Sequence, residues 1–118
     1  MNDIVAQYLE AWNTTDPTAR KAAITRLFTP TATYTDPLMA VAGHDEIDAG
    51  IAAAQAQFAG LTFRLAGPVD AHHNQVRFTW ELAPADAPAI VIGFDVATIE
   101  NARITNVYGF LDKVPTGL

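Results

Sequence analysis

The chain has 118 residues, half of them apolar, a net charge of −6 and no cysteine. That length suits one domain with its own core, the composition is globular, and disulfide and thiol chemistry are excluded. The seven Lys and Arg residues are scattered, which argues against nucleic acid, whose phosphates demand clustered positive charge.

In chain order, Ile4, Val5, Tyr8, Leu9 and Trp12 fall at helical spacing behind Asn2 or Asp3 as N-cap. A second helix is predicted from Asp16-Pro17, with Asp as cap and Pro at the first helical position, where its missing N–H costs nothing. Its stripe is Ala23, Ile24, Leu27 and Phe28, and Pro30 is expected to stop it. A short strand, Thr31 to Asp36, comes next. A third helix follows Gly43, with Ile47, Ile51, Ala54 and Phe58 on one side and Gly60 beyond its end. Its alanines suit close packing against a sheet.

From Leu61 the period changes to two. Leu61, Phe63 and Leu65 alternate with polar or small residues. After Gly67-Pro68 and the His73-Asn74-Gln75 turn, so do Val76, Phe78, Trp80 and Leu82. Pro84 to Pro88 reads as a loop. Ile90 to Ile99 is nearly continuous in apolar residues, as expected of a strand covered on both faces, and Glu100-Asn101 turns into a last strand, Arg103 to Leu111. Helices first and a meander afterwards make an α+β domain over residues 1–118. It is expected to be a strongly curved antiparallel sheet closed at one end by three helices, with an apolar pocket.

Three residues fit a plain core poorly. Asp36 shares a strand face with Ala32 and Tyr34, so it points inward if Tyr34 does. It also reads as a turn opener before Pro37. Asp95 interrupts the apolar run of its strand. Burying an ionised carboxylate costs several kcal/mol, so Asp95 must be paired, hydrogen-bonded or protonated, and Arg64 or Arg77 could pair with it across strands. Tyr8 puts a hydroxyl on the apolar stripe of the first helix, where a buried phenol wants a partner or is simply core. Trp12, Tyr34, Phe58, Phe63, Trp80, Val107 and Leu111 are expected to form the wall that contacts a ligand. Val91, Phe94 and Val96 would supply the apolar surroundings of Asp95.

The element order, with Gln7-Tyr8, Ala11-Trp12-Asn13 and Ala32-Thr33-Tyr34-Thr35-Asp36-Pro37, resembles the nuclear-transport-factor-2-like superfamily over essentially the whole chain. The nearest branch holds the SnoaL-like polyketide cyclases and ketosteroid isomerases. The resemblance implies a cone-shaped barrel of the cystatin-like α+β type, often dimeric. Matched to the isomerases, Asp36 falls on the general base, Tyr8 on the oxyanion-hole tyrosine, and Asp95 on the acid that stays protonated to donate a hydrogen bond, a well-known example of pKa tuning. The chain departs from them in lacking a tyrosine on the third helix and in having Phe28 where some members carry a second-helix tyrosine. It has no Arg two residues before Asp95, so the Asp-Arg-Asp set of limonene-epoxide hydrolases is absent.

The function expected is an acid–base isomerase or cyclase acting on a hydrophobic carbonyl compound, or else a non-catalytic ligand-binding or accessory domain with the same fold. No cofactor or metal is expected. His44, Asp45 and Glu46 open a helix whose N-terminus favours acids, with His44 solvated, and His72-His73 flank a turn where neighbours point apart. A serine nucleophile is impossible because the chain has no serine. No secretory leader and no bilayer-length apolar run are seen, so no membrane is expected, and a cysteine-free chain fits the cytoplasm. Ile104, Tyr108 and Phe110 are expected to join one row of the Ile90–Ile99 strand in an outer apolar face that buries a homodimer.

Overall fold

The computed structural model describes residues 1–116. Helix α1 runs Asn2–Asn13 and α2 Pro17–Leu27, followed at once by strand β1, Phe28–Thr35, and by β2, Ala40–Ala42. Helix α3, His44–Gln57, precedes β3 (Thr62–Leu65), β4 (Asp70–His72), β5 (Gln75–Ala83), β6 (Val91–Glu100) and β7 (Arg103–Lys113). Asp16 caps α2 as predicted, its Oδ2 accepting from the Ala19 N–H at 2.8 Å with Pro17 in the first turn. At α1 the expectation fails: Asn2 is already helical, and Met1 stands at the cap with no side-chain bond. Gly43 precedes α3 at φ +83°, and Gly60 follows it at the same angle, in the left-handed region that glycine enters freely.

The sheet has the order β2-β1-β7-β6-β5-β3, with β4 paired to β5. It is mixed and not wholly antiparallel, since β1 runs parallel to β7. Nor does it close into a barrel, because β2 and β3 remain as its ends. Pro30 lies inside β1 instead of stopping α2, which ends at Leu27. It sits where the β1–β7 register breaks between Phe28 and Thr33, a stretch with no ladder bond for its missing N–H to forfeit.

A second irregularity decides which side chains face the core. On β6, Val91, Gly93, Asp95 and Ala97 are buried, while Ile92, Phe94 and Val96 are only half-buried on the other face. Pairing with β7 slips between Thr98 and Ile99, where Thr98 meets Asn106 and Ile99 meets Ile104, leaving Thr105 as an extra residue. That bulge reverses the alternation. Ile104 therefore packs in the core, contrary to its expected place on the outer face, while Tyr108 and Phe110 do face outward. Phe110 stacks on Phe94 with ring centroids 5.0 Å apart.

A buried polar knot locks the helices together. The Arg20 guanidinium on α2 donates to Asp48 on α3 at 2.7 Å and to Gln55 Oε1 at 2.9 Å. The Gln55 amide in turn donates to the carbonyls of Trp12 and Thr14 at the end of α1. Asn13 exchanges a reciprocal pair of bonds with the backbone of Phe63, both at 2.8 Å, which docks α1 on the end of the sheet.

Candidate functional site

The buried stripe of α1 (Val5, Tyr8, Leu9, Trp12) aims the Tyr8 phenol at the floor of the sheet. There its hydroxyl donates to Asp95 Oδ2 at 2.9 Å. Asp95 is 2 % exposed and stands on β6 opposite Phe78 on one side and Gly109 on the other. Gly109 is what lets the acids gather. A Cβ there would lie 2.8 Å from Asp95 Oδ1, 3.2 Å from the Asp36 Cβ and 3.6 Å from the Tyr34 hydroxyl, so only glycine leaves room for all three. Gly93 serves Trp80 in the same way, since the indole lies across it, 2.5 Å from where a Cβ would be.

Asp36 follows β1 and turns both of its carboxylate oxygens to use. Its Oδ1 accepts from the N–H groups of Leu38 and Met39 at 2.8 and 2.9 Å, so the turn-opener reading is correct for that oxygen. Its Oδ2 accepts from the Tyr34 hydroxyl at 2.6 Å and belongs to the site. Asp95 takes no arginine. Arg64 pairs with Glu81 and Arg77 with Asp70 at the surface.

Tyr8, Asp36 and Asp95 line one cavity of about 530 Å³ between α3, α1 and the sheet. Of the expected wall, Trp12, Tyr34, Phe58, Phe63, Trp80 and Leu111 line it. Val107 does not: paired with Tyr34 across β1 and β7, it is wholly sealed in the core. The alanines of α3 do not serve close packing on the sheet alone. Ala49, Ala53 and Ala54 line the cavity beside Gly50, and the lack of bulk at these four positions leaves it open. Met39 and Val41, from the β1–β2 connection and β2, complete the mouth. Sequence periodicity carried no signal for them. Among the described lining residues the charged ones are Asp36, Glu46 and Asp95, with no Lys or Arg.

Burial raises the Asp95 carboxyl to about 6, against the pull of the Tyr8 hydroxyl and the Trp80 indole, while the Asp36 charge adds to the rise. Phe94 and Val96 are not its apolar neighbours, since they face the opposite side of the sheet. Tyr8, Phe78 and Trp80 take that role. Burial, then the Asp95 charge, pushes the Tyr8 and Tyr34 phenols well above their ordinary value, so both stay protonated. Two buried side-chain atoms have no hydrogen-bond partner among the described residues, Asp95 Oδ1 and Trp12 Nε1. His44 is half-buried instead of solvated, its Nε2 2.9 Å from the Phe28 carbonyl oxygen, and Glu46 accepts from the Ala42 N–H, so both have local structural partners.

The SnoaL-like domain family model matches residues 5–107. A crystallised protein of Agrobacterium tumefaciens, provisionally named an isomerase of the SnoaL-like family, is 40 % identical, with 93 % of this chain and 95 % of that one covered and a TM-score of 0.89. A Jannaschia protein provisionally named a SnoaL-like polyketide cyclase shares the fold at 15 % identity, with 94 % and 86 % covered and a TM-score of 0.72. So does a Catenulispora acidiphila protein with a ketosteroid isomerase-like fold, at 20 % identity, with 90 % and 82 % covered and a TM-score of 0.71. No functionally curated protein matches. With the match running from α1 into β7 and a close relative of nearly equal length, the chain belongs to the SnoaL-like family.

Proposed function

We propose that the cavity binds a hydrophobic carbonyl compound and that Asp36 is the general base of an isomerase- or cyclase-type reaction. Asp36 removes a proton from the carbon next to the carbonyl, and the C–H electron pair moves into an enolate. The Tyr8–Asp95 pair stabilises the enolate oxygen. Return of the proton to a different carbon completes an isomerisation. The observation that carries this reading is the convergence of Asp36, Asp95 and Tyr8 on one apolar cavity whose described lining has no cationic side chain. A positioned base of this kind supplies roughly 10²–10⁴-fold and an oxyanion donor on the order of 10²–10³-fold.

Turnover of a 3-oxo-Δ5 steroid tests the isomerase form. The native protein is expected to convert it, and Asp36→Asn to lose about 10²-fold or more in kcat. Absence of turnover above background in the native protein ends the steroid isomerase reading and leaves the cyclase form. Because the Asp95 carboxyl sits at about 6, kcat/KM is expected to decline as pH rises through that value and the donor proton is lost.

A second reading rests on Asp36 itself. Its two oxygens already accept from three donors, so proton abstraction requires the Tyr34 hydroxyl to leave Oδ2. A domain that only binds its ligand needs no such movement. Exchange of the ligand's α-protons into deuterated water, catalysed or not, separates the two.

The outer face of β6 and β7, where Phe94 stacks on Phe110 and Tyr108 and Phe110 are 44 % and 53 % exposed, is the surface through which we expect two copies to pair. A scattering mass equal to the monomer at micromolar concentration speaks against it. We expect the protein to work in the cytoplasm, where a chain without cysteine forgoes nothing.

A further inference from the structure

Glycine in the middle of a helix is less stable than alanine there, so Gly50, well inside α3, calls for a reason. Backbone strain is not that reason, because Gly50 is helical and has no positive φ. The reason is Met39. A Cβ at Gly50 would stand 2.7 Å from the Met39 sulfur and 3.7 Å from its Cε, so the thioether fills the notch that the missing side chain leaves. Both residues line the cavity, and both are half-buried.

The backbone of Met39 is tied to Asp36. Its N–H donates to Asp36 Oδ1 at 2.9 Å, and its carbonyl oxygen accepts from the Asp36 N–H at 2.9 Å. The Leu38 N–H closes the same turn at 2.8 Å. With both backbone groups of Met39 engaged, its side chain is the part free to move, and an unbranched thioether adapts its shape readily. That side chain thus stands within one turn of the Asp36 carboxylate and leans on α3 across the mouth. A ligand that reaches Asp36 has to fit beside it. Apolar pockets respond to a single methylene by roughly tenfold or more in discrimination, so the bulk at Met39 and the depth of the notch behind it are enough to select by shape.

We propose that Met39, seated against Gly50, is the specificity-determining residue of the cavity and sets the thickness of the ligand that reaches Asp36. This rests on the carbonyl ligand of the proposed function, but not on turnover. The test compares a flat and a globular uncharged ketone of equal heavy-atom count, 2-acetylnaphthalene and 1-acetyladamantane, by calorimetry. The native protein is expected to favour the flat one. Met39→Ala keeps the backbone bonds to Asp36 and is expected to shift the preference about tenfold towards the globular ketone. Gly50→Ala puts a methyl where the sulfur lies and pushes the thioether off α3. It is expected to shift the preference about tenfold the other way, with thermal stability kept, since alanine is the better helix former. In the double variant the methyl meets no thioether, and the globular ketone is expected to bind at least as tightly as it does to the native protein. A preference unchanged in either single variant, or a Gly50→Ala shift that persists in full once Met39→Ala is added, overturns the proposal. Selectivity that follows these substitutions in a protein that turns over no carbonyl compound keeps this inference and loses the acid–base one. Turnover with a selectivity indifferent to Met39 does the reverse.

Discussion

Two aspartates are buried in this fold, and their surroundings are opposites. Asp48 lies between helices and faces a guanidinium, and Arg20 is in turn held by Gln55, so the whole knot is satisfied by protein groups. Asp95 lies on the sheet floor with no cation beside it, held by the Tyr8 phenol and drawn on by the Trp80 indole. A charge that serves the fold is neutralised where it stands. A carboxyl kept without a counter-ion is raised towards neutrality and leaves hydrogen-bonding capacity for something that is not part of the chain.

The largest expected effect falls on the paired side. Arg20→Met strands the Asp48 carboxylate and frees Gln55, and is expected to cost about 3–5 kcal/mol in urea denaturation. Adding Asp48→Leu should return most of that, because the penalty comes from the orphaned charge. A double variant as unstable as the single one would mean that the knot acts through packing and not through charge.

Asp95→Asn should act with the opposite sign. The folded carboxyl sits at about 6 and its ordinary value is 3.8, so the folded state binds the proton more tightly than the unfolded chain. The stability this supplies is complete below about pH 4 and lost as pH rises through about 6. At pH 8 the Asn variant, which has no charge to bury, is expected to be more stable than the native protein by on the order of 1–3 kcal/mol. Its stability should also be flatter than the native protein's between those two pH values. The smallest effect belongs to an acid at the surface. Arg64→Ala breaks an exposed pair with Glu81 and should cost no more than about 1 kcal/mol.

The residues that could be read from the sequence are those that break a pattern. Asp95 was visible because it interrupts an apolar strand, Tyr8 because it occupies a helix stripe, and Asp16-Pro17 because cap chemistry is local. What stayed hidden depends on partners far apart in the chain. Arg20 and Asp48 are 28 positions apart on different helices, and nothing in either segment names the other. The parallel pairing of β1 with β7 and the extra residue at Thr105 belong to register, which alternation alone does not fix, so the sequence pattern puts Ile104 on the wrong face. Val107 reads as pocket wall in the sequence because an inward residue and a cavity-lining residue look alike until the helices are placed.

The carboxyl carbon of Asp95, followed by NMR through a pH titration with Asp95→Asn identifying its signal, tests most directly whether this acid is held without a counter-charge. A midpoint near 6 is expected, and a midpoint at or below the ordinary value of 3.8 would contradict it.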